Sequence, residues 1–156
     1  MEKINMTLND IVSKYNLITQ LRLEHNGKEF SKELKLKIIK MRIEYGKFSK
    51  ALDNDIKEFT DGIISDRYKF LVNAGFRTPE ENKELSELEE EYRKDISEYM
   101  NSKANDVIEN VNDWKITPDE YEEIIDFNIT NNVNINGNQI LGPDYLELIY
   151  NLLVEK

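Results

Sequence analysis

The chain has 156 residues, with 31 acidic and 21 basic side chains, one histidine and no cysteine. The formal charge of −10 opposes non-specific nucleic-acid binding, which draws on clustered Lys and Arg. Without cysteine there are no disulfides, thiolate nucleophiles or cysteine-ligated zinc, and any Ser-His-Asp triad would depend on His25 alone.

The length predicts one domain, 1–156. Met1 to Asn5 lack the basic region and apolar core of a secretory signal, and no stretch approaches the ~18 apolar residues of a spanning helix. Neither secretion by a signal peptide nor a membrane is therefore expected.

Residues 1–27 read as a short extended segment, Ile4 to Met6, followed by a helix. Thr7 and Asp10 form an acidic variant of the capping box, Leu8, Ile11, Val12, Tyr15, Ile18 and Leu21 follow at helical spacing, and Asn26-Gly27 is read as the stop. His25 then falls at a helix C-terminus, where the dipole favours a cation.

Residues 31–112 read as a long antiparallel helical hairpin. Its first arm starts at Ser31 and carries Leu34, Ile38, Met41, Tyr45, Phe48, Leu52, Ile56, Phe59 and Ile63, the period of a straight helix. Unbroken to Asn73 it would be roughly 64 Å long, with Gly62 the expected kink. Ala74 to Arg77 is a turn. Thr78-Pro79-Glu80-Glu81 opens the second arm with a cap, a proline and an acid, and Leu85, Leu88, Tyr92, Ile96, Tyr99, Ala104, Val107 and Val111 form its stripe.

Residues 113–156 read as a second extended segment, Trp114 to Ile116, a helix opened by Thr117-Pro118-Asp119-Glu120, a β-hairpin and a last helix. The hairpin is signalled by Asn136-Gly137 between alternating apolar residues; the final helix, from Gly142-Pro143-Asp144, carries Tyr145, Leu148, Ile149, Leu152 and Leu153. The fold class is mainly α: a long helical hairpin, shorter flanking helices and a small β element near the termini.

Charge is unevenly placed. Residues 1–79 hold 15 basic and 11 acidic side chains, residues 80–126 hold 5 and 17, and the rest 1 and 3. Folding the hairpin is expected to set the acidic half of its first arm beside Glu80 to Glu91. Two solvated faces with i,i+4 pairing explain this layout, and so does a bipolar rod that docks on partners of opposite sign or on copies of itself.

No catalytic, cofactor or metal residue stands out. Asn132, Asn134 and Asn136 mimic a calcium loop, but no carboxylate is present and Pro143 stands at its twelfth position. Glu84, Glu87 and Glu91 share a helical face, continued by Asp95 and Glu98, as a candidate acidic surface. Tyr68, Phe70, Leu71, Val72 and Phe76 crowd apolar mass at the hairpin turn, and Trp114, Tyr145 and Tyr150 raise the same question at the opposite end. Either group caps its own core or meets a protein partner.

The strand leading into Thr7-Leu8-Asn9-Asp10-Ile11, the Lys-rich helix from Ser31 to Phe59, the Glu-rich return helix and Ile116-Thr117-Pro118-Asp119-Glu120 together resemble small proteins encoded in tailed-bacteriophage structural gene clusters. The resemblance covers about Asn5 to Glu123, rests on patterning, and carries over no functional residue. It implies a non-enzymatic structural or assembly protein of a virion or host cytoplasm, contacting other virion or phage proteins or forming a homo-oligomer. The alternative is an acidic, phosphate-mimicking inhibitor of a host nucleic-acid-binding or defence protein.

Overall fold

The computed structural model describes residues 1–156. Its contacts divide into two compact units, Met1–Ser49 with Val107–Lys156, and Lys50–Asp106. The first point of division, between Ser49 and Lys50, falls inside one long helix. The fold class is as expected: six helices with small antiparallel strand pairs.

In the first unit, strand β1 (Lys3–Thr7) feeds helix α1 (Leu8–Ile18), with the Thr7 hydroxyl accepting from the Asp10 amide as the cap. The helix ends at Ile18, earlier than Asn26-Gly27. Those two residues instead turn a β-hairpin, β2 (Glu24–His25) and β3 (Lys28–Glu29), with Asn26 at φ 52° and Gly27 at φ 77°. Positive φ at both central positions is the type I′ geometry that favours Asn-Gly, so His25 lies in a strand rather than at a helix end.

Helix α2 (Lys32–Ile63) follows, then α3 (Asp66–Asn73) and α4 (Pro79–Ala104). The chain next forms β4 (Val107–Asn112), where the stripe had suggested continued helix to Val111. β4 pairs antiparallel with β1, with a register shift between Ile4 and Met6 and Asn110 at φ 59°. That is a bulge, placed on a residue type that tolerates the left-handed region. Trp114 to Ile116 is not the expected strand; Ile116 alone bridges Val154, donating to the Leu153 carbonyl and accepting from the Glu155 amide at 2.8 Å each.

α5 (Pro118–Asn128) begins with a complete capping box, Thr117 and Glu120. The predicted hairpin is present as β5 (Val133–Ile135) and β6 (Asn138–Ile140), and α6 (Gly142–Leu153) closes the chain. The core of this unit joins Ile11, Ile18, Leu34, Ile38, Met41, Tyr45, Ile116, Ile124, Tyr145, Ile149 and Leu153, all fully buried. It comes from the inner face of α1, α5, α6 and the first half of α2, with Ile116 added from the segment before α5.

The second unit is a thinner hairpin of the remaining α2, α3 and α4. Phe59 stacks on Tyr99 at 4.1 Å, Tyr68 meets Tyr92 edge-on at 5.2 Å, and Arg67 pairs with Glu84, an antiparallel progression. Gly62 is helical; the break comes at Ile64-Ser65, where the Ser65 hydroxyl caps α3 by accepting from the Tyr68 amide. Because α3 lies along the start of α4, the acidic stretch Asp53 to Asp61 runs beside its last turns instead of beside Glu80 to Glu91. Leu71 is the one large side chain fully buried in this unit. No helix is long and apolar enough to cross a membrane.

Candidate interaction surfaces

The second unit's seam alternates apolar and aromatic side chains at i, i+3 and i+4, but two helices can close it from one side only. Ile64, Tyr68, Tyr92, Ile96 and Met100 consequently line an open groove of ≈ 490 Å³, together with the polar Thr60, Ser97 and Asn101 and one charge of each sign, Glu89 and Arg93. Met100 remains 45% exposed. Tyr92 is held by its hydroxyl, which donates to the Ser65 hydroxyl at 3.0 Å and accepts from the Ser65 amide at 3.1 Å.

The turn residues divide. Phe70, Val72 and Phe76 are exposed, Phe76 by 83%, with the Arg67 guanidinium 5.6 Å from the Phe70 ring. Tyr68 is half-buried in the groove. Leu71 is fully buried and cannot touch a partner; it anchors α3, its carbonyl accepting from Arg77 at 2.9 Å. The i,i+1 neighbours of an amphipathic turn point to different sides, which composition at the turn did not separate.

At the other expected patch, Tyr145 is also fully buried, and its hydroxyl donates to the Leu17 carbonyl. Burial pushes that hydroxyl's pKa up, with Arg42 opposing. Trp114 is half-buried and its indole N–H donates to Glu44. Tyr150 is exposed, with the Lys156 ammonium 4.0 Å from its ring centre. Of these three, only Tyr150 is left free for a partner.

The acidic candidates form a row along α4. Glu84 is half-buried and taken up by Arg67 through two 2.9 Å hydrogen bonds, which hold its carboxyl below the usual range. Glu87 lies 4.0 Å from Lys83, Asp95 is half-buried, and Glu91 and Glu98 are exposed.

Sequence reading missed a third surface. On α2, Leu36, Ile39 and Ile43 are exposed, Ile43 by 58%. At 100° per residue they sit about 180° from Leu34, Ile38, Met41 and Tyr45. Lys32, Lys40 and Lys47 share that outer face, whereas the ion pairs of this stretch use Lys35 and Lys37. The available signal was a second apolar set in opposite phase to the core stripe.

Elsewhere a few ionisable side chains lie close together within the first unit. Asp113 lies 3.9 Å from both Lys14 and Lys115, and burial lowers the Lys14 pKa while Asp113 opposes that. His25 lies 3.2 Å from Arg22. No group of three or more His, Asp or Glu side chains is gathered to hold a metal. No family model matches the chain, nor does any curated protein or solved structure.

Proposed function

We propose that this chain is a non-enzymatic interaction protein whose Lys50–Asp106 hairpin docks on other protein. The observation that carries this reading is the hairpin's incomplete core. Of its large side chains only Leu71 is fully buried, while Met100 and the groove beneath it stay open. A unit of this size gains stability by covering such surface, and aromatic and methionine-lined grooves are what helical partners use. A setting among virion or phage assembly proteins is supported by the patterning resemblance alone.

A second reading, an acidic decoy for a nucleic-acid-binding or defence protein, draws on the exposed Glu91 and Glu98 of the same helix. The two use different faces of α4. A photoactivatable side chain placed at Met100 in producing cells should give discrete protein adducts; the same probe at Glu91 should not. Adducts at Glu91 alone would transfer support to the decoy, whose binding weakens steeply with salt. None at either position would overturn both.

A further inference from the structure

We infer that the outer face of α2 lies on an anionic lipid bilayer. This face belongs to the first unit and is independent of the hairpin groove. At 100° per residue, Leu36, Ile39 and Ile43 share an arc of about 100° with Lys32, Lys40 and Lys47, opposite the buried stripe. All six side chains are exposed, and from Lys32 to Ser49 the one exposed acid is Glu33, just outside that arc. The neighbouring charges are drawn off this face: Lys35 pairs with Glu29, Lys37 with Glu120, and Glu44 accepts from Trp114 and Asn112. The face is therefore basic, in the one basic part of an acidic chain. Residues 1–49 hold 10 basic and 6 acidic side chains, and the rest hold 11 and 25.

Its composition favours a bilayer over a protein. Protein interfaces are enriched in aromatic residues, Met and Arg and depleted in Lys, whereas this arc holds only Leu, Ile and Lys. Aliphatic side chains at the crest with lysines around them are the pattern of a helix lying in the plane of a membrane. The aliphatics enter the headgroup boundary, and the lysine stems follow while their ammonium groups stay among the phosphates. With the core behind it, this face is a convex ridge roughly 23 Å long from Lys32 to Lys47, which a flat, deformable surface receives without a matching groove. No helix spans a bilayer, and this contact needs none that does. The same face of a second copy is a poor occupant, since it would set lysines against lysines. At physiological salt, charges more than about 8 Å from the lipid are largely screened, so the local lysines and not the net charge set the attraction.

Co-sedimentation of the full chain with vesicles tests this, comparing phosphatidylcholine alone with phosphatidylcholine carrying about 30 mol % phosphatidylserine. The wild type should bind only the anionic vesicles and leave them as salt rises from about 0.05 to 0.5 M. Lys40→Gln with Lys47→Gln should lower partitioning about 25-fold, at about fivefold per lysine. Ile43→Ser should lower it severalfold by removing apolar surface. Circular dichroism should be unchanged in both variants, because these side chains are exposed. Lys94→Gln removes an exposed charge from α4 and should leave binding as it is.

No binding to anionic vesicles at low salt overturns the inference, as does equal binding to neutral ones. So does a Lys40→Gln, Lys47→Gln protein that binds like the wild type, or a Lys94→Gln protein that loses as much. A photoactivatable side chain at Ile43 in producing cells separates lipid from protein. Transfer of the label to lipid supports the bilayer; adducts with protein alone assign the face to an acidic protein and end the inference.

Discussion

Two side chains show how the first unit makes polar burial tolerable. Asn128, at 0% exposure, accepts from the Arg22 amide at 2.8 Å and donates to the Ile124 carbonyl at 3.0 Å, so it ties α5 to the segment after α1. Asn128→Ala strands the Arg22 amide and should cost about 1–3 kcal/mol, read as a lower urea midpoint at unchanged slope. Tyr45 donates to the Asn112 carbonyl at 2.9 Å, and its oxygen accepts from the Trp114 amide at 3.3 Å. Burial, with Asp113 and Glu44 adding to it and the Trp114 bond opposing, pushes its hydroxyl up to about 12 from 10.0. A raised pKa in a group that ionises to an anion favours the protonated folded form. The contribution is complete below pH 10 and is lost as pH climbs toward about 12. Wild type should therefore exceed Tyr45→Phe in stability at neutral pH, and that advantage should shrink between pH 10 and 12. A difference that holds constant through that window would contradict it.

At the level of elements, each start signal with a hydroxyl cap, proline and glutamate formed as read, because the cap bonds are local: Thr78 with Glu81 and Thr117 with Glu120. Gly62 has nothing within 4 Å of a Cβ and sits inside α2 without a positive φ. Gly62→Ala should thus stabilise by about 0.5–1 kcal/mol, seen as a higher thermal midpoint. Gly142 is the opposite case, since a Cβ there would lie 2.1 Å from the Ile129 carbonyl oxygen; alanine should cost about 1–3 kcal/mol or more. What the sequence left illegible was where periodic patterns stop. Val107 and Val111 keep the helical phase of α4, yet their strand pairs with β1, a partner about a hundred residues away in the chain that no local pattern names. Asn26-Gly27 was ambiguous because the same pair ends helices and turns hairpins. At the surfaces, the turn's apolar cluster was visible as composition, but α3 buries Leu71 while exposing Phe70 and Val72. The Leu36–Ile43 face was hidden by a stronger stripe on the same helix.

Across the whole molecule, stability is distributed unequally. Eleven of the twelve largest fully buried side chains belong to the first unit, and Leu71 alone to the second. Buried apolar contacts set how much free energy a local opening costs, so the Lys50–Asp106 hairpin should open first. The chain carries its own reporters for this. Its single tryptophan, Trp114, lies in the first unit with its indole bonded to Glu44, while nearly half of the helical residues lie in the second. In urea, far-ultraviolet circular dichroism should lose a large part of its helical signal before Trp114 fluorescence changes, and the two midpoints should separate. Native-state hydrogen exchange should give the same order, with α4 amides freed below the concentration that releases α5 and α6. Coincident transitions by both probes would mean that α2, which passes through both units, couples them into one cooperative structure despite the thin core of the hairpin. If a partner protein covers the groove, the early transition should move to higher urea in its presence, since binding to the folded hairpin alone stabilises it by mass action, while the Trp114 transition should move less.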